Sequence, residues 1–404
     1  MTKIYTVLIS LNSVFAQLLD ENNMQYFSIF LFSIGTILML CNFHKIKFSK
    51  QENIYIFSLM WAVLINVFIS PDNFLSFRCG IRLLFPFLIF ILFTILMKNH
   101  NSFRFYLRTN VYVSIIFVII MNYFYIVFSN QPSIEDPYRG MERTVGFFTG
   151  DAGWHGLAHY SLLTIFLISF YKPITSSRIE KYILSFSFLI ACYLILKSGT
   201  RTVYLGLITF MFIWFLLKKR YSWLLILVIG IYLLFLFNNN FQVALIEFDP
   251  HQTDFEEIGS GRGGLWEGFI RFLLMQPWFN ILFGTGTQLV SIDYYLGLPT
   301  SEMAGTRLDA HNDYLLILCQ IGIFGLFIFL SFYFSLFIKA IRLIKFDVGK
   351  LYIAMLVSVA LMNFVSNAYI SRIGIAMIFW PLFVPLFNKD ILMHLIECLK
   401  TRKV

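Results

Sequence analysis

The strongest constraint on the fold of this chain is the recurrence of apolar runs, each close to the length that crosses a lipid bilayer. One spanning helix needs about 20 predominantly apolar residues. The 404 residues contain twelve such predicted spans, at 4–20, 26–43, 53–70, 79–97, 109–128, 154–171, 182–199, 203–217, 223–241, 312–337, 351–369 and 373–388. Only 13% of the residues are charged, against about 25% in soluble domains. We therefore expect an all-α, polytopic transmembrane helical bundle that forms a single integral membrane domain, 1–404.

The connections between the predicted spans differ in their content of lysine. Most lysines lie in segments 44–50, 98–108, 172–181, 218–220 and 339–350 and in the C-terminal tail. Cytoplasmic loops collect positive charge, and all of these segments fall on one side if both termini are cytoplasmic. Segment 242–311, between spans nine and ten, is then a long outer loop, and its apolar periodicity predicts short amphipathic helices.

Arginine dominates the basic residues outside the predicted cytoplasmic segments. Ten of the 31 lysines and arginines lie there, and all but Lys197 are arginine: Arg78, Arg82, Arg139, Arg143, Arg201, Arg262, Arg271, Arg307 and Arg372. A guanidinium group binds phosphate or carboxylate through two parallel hydrogen bonds, which lysine does not match. The pattern predicts an anionic, phosphorylated substrate at the outer face. The net charge of +9 does not indicate nucleic acid, because most of it orients the spans next to membrane lipids.

Two of these arginines lie beside glycines that allow a ligand to approach the backbone. Arg201 follows Ser-Gly-Thr in a tight outer turn between two spans, where it is predicted to clamp phosphate; the alternative is a side chain that extends to lipid headgroups. Arg262 lies in GSGRGGLW, just before a predicted helix whose dipole favours an anion. Its alternative is an arginine of a flexible loop.

A histidine lies at the outer entry of the tenth span. His311 is flanked by Asp309, Asn312 and Asp313. A neutral histidine beside a carboxylate can accept a proton, so His311 is predicted to act as a general base. The alternative is a helix N-cap formed by Asp309 or Asn312, in which His311 is incidental.

Further contacts to the substrate are expected from the other outer polar residues. Arg78 and Arg82 are four apart on one helix, while Arg372 is either a contact or an anchor. The predicted substrate-binding set is Arg143, Arg139, Arg78, Arg82, Arg307, Arg372, Asp309 and Asn312.

A metal site is not predicted. His155 and His159 share a helix face, which would suit a metal, but no third ligand follows at a fixed spacing. Contact with substrate or pairing with Asp151 is the favoured interpretation.

Three short patterns occur in a fixed order. They are SGTRT at 198–202, SGRGGLW at 260–266 followed by PWFNILFGTGT at 277–287, and AHNDYL at 310–315 followed by GIFGL at 322–326. Together they resemble the O-antigen ligase and O-antigen polymerase superfamily of bacterial envelope glycan assembly, over roughly residues 139–340.

This resemblance implies a GT-C-like fold and a metal-independent, inverting glycosyltransferase in the bacterial inner membrane, with its site facing the periplasm. The implied donor is an undecaprenyl-diphosphate-linked oligosaccharide, and a chain-length regulator protein is a further implied partner. No cofactor is implied. The essential basic positions of the family fall on Arg201, Arg262 and His311. Segment 150–156, GDAGWHG, departs from the family's motifs and leaves the role of His155 open.

The specific reaction stays open between several classes. A polymerase extends another lipid-linked repeat unit, and a ligase transfers the same donor to lipid A core. We favour the polymerase because the frequent Phe, Ile, Asn and Lys are common in variable O-antigen clusters. A transporter for a lipid-linked or anionic solute is a further alternative, but charges gathered at one face and no visible repeat favour an enzyme.

Overall fold

Helices make up most of the structure, a computed structural model. It describes residues 2–18, 30–31, 33–38, 41, 50–70, 73–128, 133–136, 141–144, 153–237, 258–286, 289–291, 307–367, 369–370 and 372–400. The helices are α1 Thr2–Leu18, α2 Lys50–Ile69, α3 Asn73–Leu96, α4 His100–Val113, a π-helical stretch Ser114–Ile120, α5 Met121–Phe128, α6 Gly153–Tyr171, α7 Arg178–Ser198, α8 Arg201–Leu217, α9 Tyr221–Phe237, α10 Ile258–Leu274, α11 Trp278–Phe283, α12 Asp313–Arg342, α13 Asp347–Val365, α14 Ile373–Phe379, a 3-10 helix Trp380–Phe387, and α15 Lys389–Lys400.

Two short antiparallel ladders accompany the helices. Strand β1, Ser133–Asp136, pairs with β2, Met141–Thr144. Strand β3, Leu289–Ser291, pairs with β4, Arg307–Asp309, inside the predicted long loop. The predicted helical class is confirmed for the described spans, and the two ladders were not predicted.

The chain is an integral membrane protein with five or six candidate spans among the described residues. Five helices are apolar and long enough to cross a membrane: Cys79–Leu96, His100–Phe128, Arg178–Ser198, Asp313–Arg342 and Asp347–Val365. A sixth is the pair Gly374–Phe387 and Lys389–Leu399 if it counts as one span bent by 95°. Three predicted spans coincide with shorter apolar helices, and most of 26–43 lies outside the described residues. The total of twelve stays a prediction.

An aromatic cluster around Trp380 joins the centre of the bundle. The Trp380 ring is fully buried, with its centroid 5.1 Å from that of Phe87 on α3. Phe87 in turn packs edge-on against Phe329 and Phe332 of α12, at 6.0 and 5.7 Å. Tilted and edge-on pairs of this kind add to the stabilisation from burial. The cluster therefore fixes α3, α12 and the C-terminal helices relative to one another.

Helices α8 and α13 pack as an antiparallel pair. We call the end of the bundle that carries Lys218 the inner end and the opposite end the outer end, after the predicted topology. At the inner end, Lys218 Nζ lies 3.1 Å from Asp347 Oδ2. Near the middle, the Ser358 hydroxyl donates to the Gly206 carbonyl at 2.6 Å. A Cβ on Gly206 would lie 2.2 Å from Met362 Sδ, so any larger residue there would require the Met362 side chain to move. The outer end of α8 consequently lies beside the outer end of α13.

Helix α12 is interrupted within its apolar length. Gly322 has φ 70° and ψ −174°, outside the helical region. The interruption frees the carbonyls of Cys319 and Gln320, which accept hydrogen bonds from Thr285 N–H at 2.8 Å and Gly286 N–H at 3.0 Å. Irregular backbone at membrane depth is tolerated where protein satisfies it. Residues 283–286 of the FGTGT segment therefore dock on the break in α12.

Candidate functional site

Arg201 begins α8 immediately after a two-residue turn. Helix α7 ends at Ser198, and Gly199 then takes the left-handed conformation with φ 65°. Thr200 is buried, and its N–H donates to the Ser198 hydroxyl at 3.3 Å. The left-handed residue reverses the chain so that α8 packs back along the bundle. This turn holds the half-buried Arg201 at the outer end of α8.

The pairing of α8 with α13 sets the level of Arg201. Arg201 lies five residues outward from Gly206 on α8. Gly206 accepts the hydrogen bond from Ser358 of α13, and Asn363 lies five residues beyond Ser358. A helix rises about 1.5 Å per residue, so both positions are roughly 7.5 Å outward of that contact. Arg201 and Asn363 therefore lie at the same depth on neighbouring helices.

His311 lies two residues before the start of α12. Asn312 caps the helix, because its side-chain oxygen accepts from the N–H groups of Tyr314 at 3.0 Å and Leu315 at 3.1 Å. The Tyr314 hydroxyl donates to the Ala360 carbonyl of α13 at 3.1 Å. The cap is thus Asn312 and not Asp309. His311 itself is exposed and has a left-handed φ of 46°, which is uncommon for a residue with a side chain.

Helix α10 packs beside His311 on the same end of α13. The Trp266 indole N–H donates to the Ala310 carbonyl at 2.9 Å. Its ring centroid lies 5.4 Å from that of Phe364 on α13. Phe269, one turn later, is fully buried in a cluster with Ala310. These contacts fix α10 against the residues that precede α12.

The conformation of the arginine in the glycine-rich motif differs from the sequence expectation. Arg262 was expected just before a helix, but α10 begins four residues earlier, at Ile258. The glycines are helical because they continue a helix whose later turns are held by Trp266 and Phe269. Arg262 lies on α10 one turn before Trp266, and the placement of its side chain is outside the described part of the structure.

Three chain segments therefore meet at the outer end of α13. The start of α8 carries Arg201, α10 carries Arg262, and His311 lies two residues before α12. Their contacts run to residues 358–364, through Ser358, Ala360 and Phe364.

Arg82 and Arg372 lie on other helices that are joined by the aromatic cluster. Arg82 is five residues outward of Phe87 on α3, and Arg372 precedes α14, eight residues before Trp380. Because Phe87 packs on Trp380, both arginines lie on the outer side of that contact. Each is half-buried, and Arg372 Nε donates to the Asn367 carbonyl at 2.8 Å.

The other predicted contacts are placed only by their backbone. Arg78 lies on α3 one turn before Arg82, and Arg143 lies on β2 opposite Ile134. On β4, Arg307 pairs with Ser291 and Asp309 with Leu289. The side chains of these four residues, and all of Arg139, lie outside the described structure, so their roles stay predictions.

Four buried polar residues lie near the outer ends of the helices, and two of them, Asn363 and Tyr369, were not predicted from the sequence to take part in the site. The four are His159, Asp313, Asn363 and Tyr369, each with at most 1% of its surface exposed. Polar side chains inside apolar runs are costly and often functional. The positions of Asn363 and His159 within predicted spans were therefore enough to suggest a functional role from the sequence. No group of three potential metal-ligating side chains is present within the described residues.

Comparison with known proteins adds one finding. Residues 186–330 match a family model described as O-antigen ligase. The matched segment contains Arg201, Arg262 and His311, and the resemblance predicted from the motifs is confirmed over it. The match indicates membrane glycan transfer of the polymerase or ligase type, without resolving the specific reaction. None of the curated proteins compared with the chain matches it.

Proposed function

We propose that this chain, which carries an O-antigen ligase family domain at residues 186–330, is an O-antigen polymerase. It transfers an undecaprenyl-diphosphate-linked glycan chain onto the terminal sugar of another lipid-linked repeat unit. The observation that carries the proposal is the meeting of the segments bearing Arg201, Arg262 and His311 at the outer end of α13. All three residues belong to the matched segment.

The proposed role of the arginines is to stabilise the leaving group. When the bond between the anomeric carbon and the phosphate oxygen breaks, negative charge develops on the lipid diphosphate. Arginines held in place before the reaction stabilise that charge without reorganising. Arg201 is suited to this role because its turn and the α8–α13 contact fix its helix. Arg262 is proposed as its counterpart on α10.

The proposed role of His311 is to accept the proton of the attacking hydroxyl. The acceptor oxygen forms a bond to the anomeric carbon as the diphosphate leaves, and the hydroxyl proton passes to the imidazole. Attack opposite the leaving group inverts the anomeric configuration. The exposure of His311 supports this role because an acceptor sugar can reach it.

The proposed topology has twelve spans, both termini in the cytoplasm and the site facing the periplasm of the bacterial inner membrane. Its support is the segregation of residues along the bundle. Lys218 and Asp347 pair at one end of α8 and α13, and Arg201 and Asn363 lie at the other. Lys98 follows α3 at the lysine-bearing end, where Asn388 donates to the Met97 carbonyl at 3.1 Å.

A ligase that transfers the glycan to lipid A core is the second candidate, favoured by the description of the matching family. The glycan pattern of a deletion strain separates the two. Core carrying a single repeat identifies the polymerase, and core alone with polymer retained on the lipid carrier identifies the ligase. An unchanged pattern, with solute flux in proteoliposomes, would instead show a transporter. Complementation by wild type but not by Arg201→Ala at equal expression would tie the phenotype to the site.

A further inference from the structure

Three helices meet closely one turn below the proposed site. A Cβ on Gly206 of α8 would lie 3.1 Å from Leu162 of α6 and 2.2 Å from Met362 of α13. Leu162 and Met362 are both fully buried. The apolar contact closes the bundle at this depth, so any polar group just outward of it is held at the bottom of the outer face.

Three polar side chains lie just outward of this contact, and a fourth, Tyr369, reaches its level, because the Tyr369 ring centroid also lies 6.1 Å from that of Phe166, one turn inward of Leu162. Thr202 precedes Gly206 by four residues and so shares its helix face, and His159 precedes Leu162 by three. Asn363 follows Met362, and its side-chain oxygen accepts from the Tyr369 N–H at 3.2 Å. The Tyr369 ring centroid lies 6.3 Å from that of His159. We call Thr202, Asn363 and Tyr369, with His159 beside them, the polar junction.

Three groups of the polar junction retain unused hydrogen-bonding capacity. Asn363 Nδ2, the Thr202 hydroxyl and the Tyr369 hydroxyl are buried and have no hydrogen-bond partner among the residues that the structure describes. The exposed fractions of these residues are 0%, 4% and 0%. A buried donor without a partner lowers stability, and most buried polar groups in proteins are paired. Three such groups on neighbouring segments beside Arg201 point to a ligand that pairs with them.

We propose that the polar junction is the inner wall of the phosphate-binding site, a conclusion that rests on the proposed function. Thr202, Asn363 and Tyr369 donate to non-bridging oxygens of the diphosphate that Arg201 also contacts. Neutral donors suit this position, because they bind an anion without burying further charge. Arg201 and Thr202 are adjacent in the chain, so one helical turn supplies both the charged and the neutral contact.

Tyr369→Phe is the first test, with Tyr333→Phe as its matched control. Both remove one buried hydroxyl, but that of Tyr333 donates to the Leu356 carbonyl. We measure the binding of farnesyl diphosphate to purified protein, with farnesyl alcohol as the reference, together with the thermal midpoint. Tyr369→Phe should weaken diphosphate binding about ten- to a hundredfold while its midpoint holds or rises. Tyr333→Phe should lower the midpoint and leave binding unchanged.

Asn363→Asp separates a bound diphosphate from bound water. This change keeps the oxygen that accepts from Tyr369 but replaces the amide donor by a carboxylate. Water can donate to a carboxylate, whereas a diphosphate is repelled by it. Loss of diphosphate binding supports the inference. Retained binding in both Tyr369→Phe and Asn363→Asp overturns it, as does a midpoint that falls in Tyr369→Phe as far as in Tyr333→Phe. Wild-type protein that binds the diphosphate but transfers no glycan would refute the proposed function alone.

Discussion

Replacement of Gly322 by alanine should destabilise the protein strongly, because the break in α12 requires glycine. Its backbone, at φ 70° and ψ −174°, lies in a region essentially confined to glycine. An added Cβ would also lie 2.3 Å from the Leu282 carbonyl oxygen and 2.5 Å from Gly284 N. Both are backbone atoms, which cannot rotate away. The FGTGT segment would have to withdraw from α12.

The size of the effect follows from the contacts that would be lost. Backbone strain at such a position costs about 1–3 kcal/mol. Withdrawal of the segment breaks hydrogen bonds from Thr285 N–H, the Thr285 hydroxyl and Gly286 N–H to α12 carbonyls. Each contributes about 0.5–1.5 kcal/mol net. The sum predicts a loss of about 2.5–7.5 kcal/mol for Gly322→Ala.

The assay is the free energy of unfolding of purified protein in mixed detergent micelles. Gly230→Ala is the control, because a Cβ there meets no atom within 4 Å in the middle of α9. That change should hold or raise stability by up to about 1 kcal/mol through helix propensity. A Gly322→Ala protein within about 1 kcal/mol of wild type would refute the account of the break.

Further predictions concern the site, the topology and metal. Arg201→Lys should lower glycan transfer by about tenfold or more at equal expression, since lysine lacks the fork geometry; full activity would contradict the clamp. His311→Gly should relieve about 1–2 kcal/mol of left-handed strain, so that the thermal midpoint holds or rises while turnover falls about 10²–10⁴-fold. Near-normal turnover of His311→Ala would refute any role of His311 in the reaction and would favour the alternative in which it merely adjoins the helix cap. Substantial activity of His311→Gln would indicate that His311 orients the acceptor and does not accept its proton. Val290→Cys, in a cysteine-free protein, should react with an impermeant maleimide in cells with an intact inner membrane; labelling only after permeabilisation would reverse the topology. Transfer by the purified protein should survive EDTA, and loss that Mg²⁺ or Mn²⁺ restores would show a missed metal site.

The features that the sequence predicted well depend on local pattern. Apolar runs of spanning length identify helices, because a lipid-exposed backbone must satisfy its own hydrogen bonds. The Ser-Gly-Thr turn before Arg201 was also predictable, because two apolar runs of spanning length are separated there by only a few residues. The cap by Asn312 was one of the two predicted alternatives.

The features that the sequence did not predict depend on contacts between distant segments. Arg262 is helical because Trp266 and Phe269 pack against residues almost fifty positions later, a contact that glycine propensity does not foretell. Tyr369 is buried because its backbone bonds Asn363 and Trp380. Helix α15, which the sequence placed in the C-terminal tail, is bent by 95° from the preceding segment.

The docking of the FGTGT segment on α12 has a consequence for biogenesis. A helix α12 that entered the bilayer alone would expose the carbonyls of Cys319 and Gln320 to lipid, each at a cost of several kcal/mol. The segment that covers them precedes α12 in the chain, so it is synthesised before the helix that it covers. A chimaera that exchanges the outer loop without the Gln-Ile-Gly break should insert poorly and be degraded.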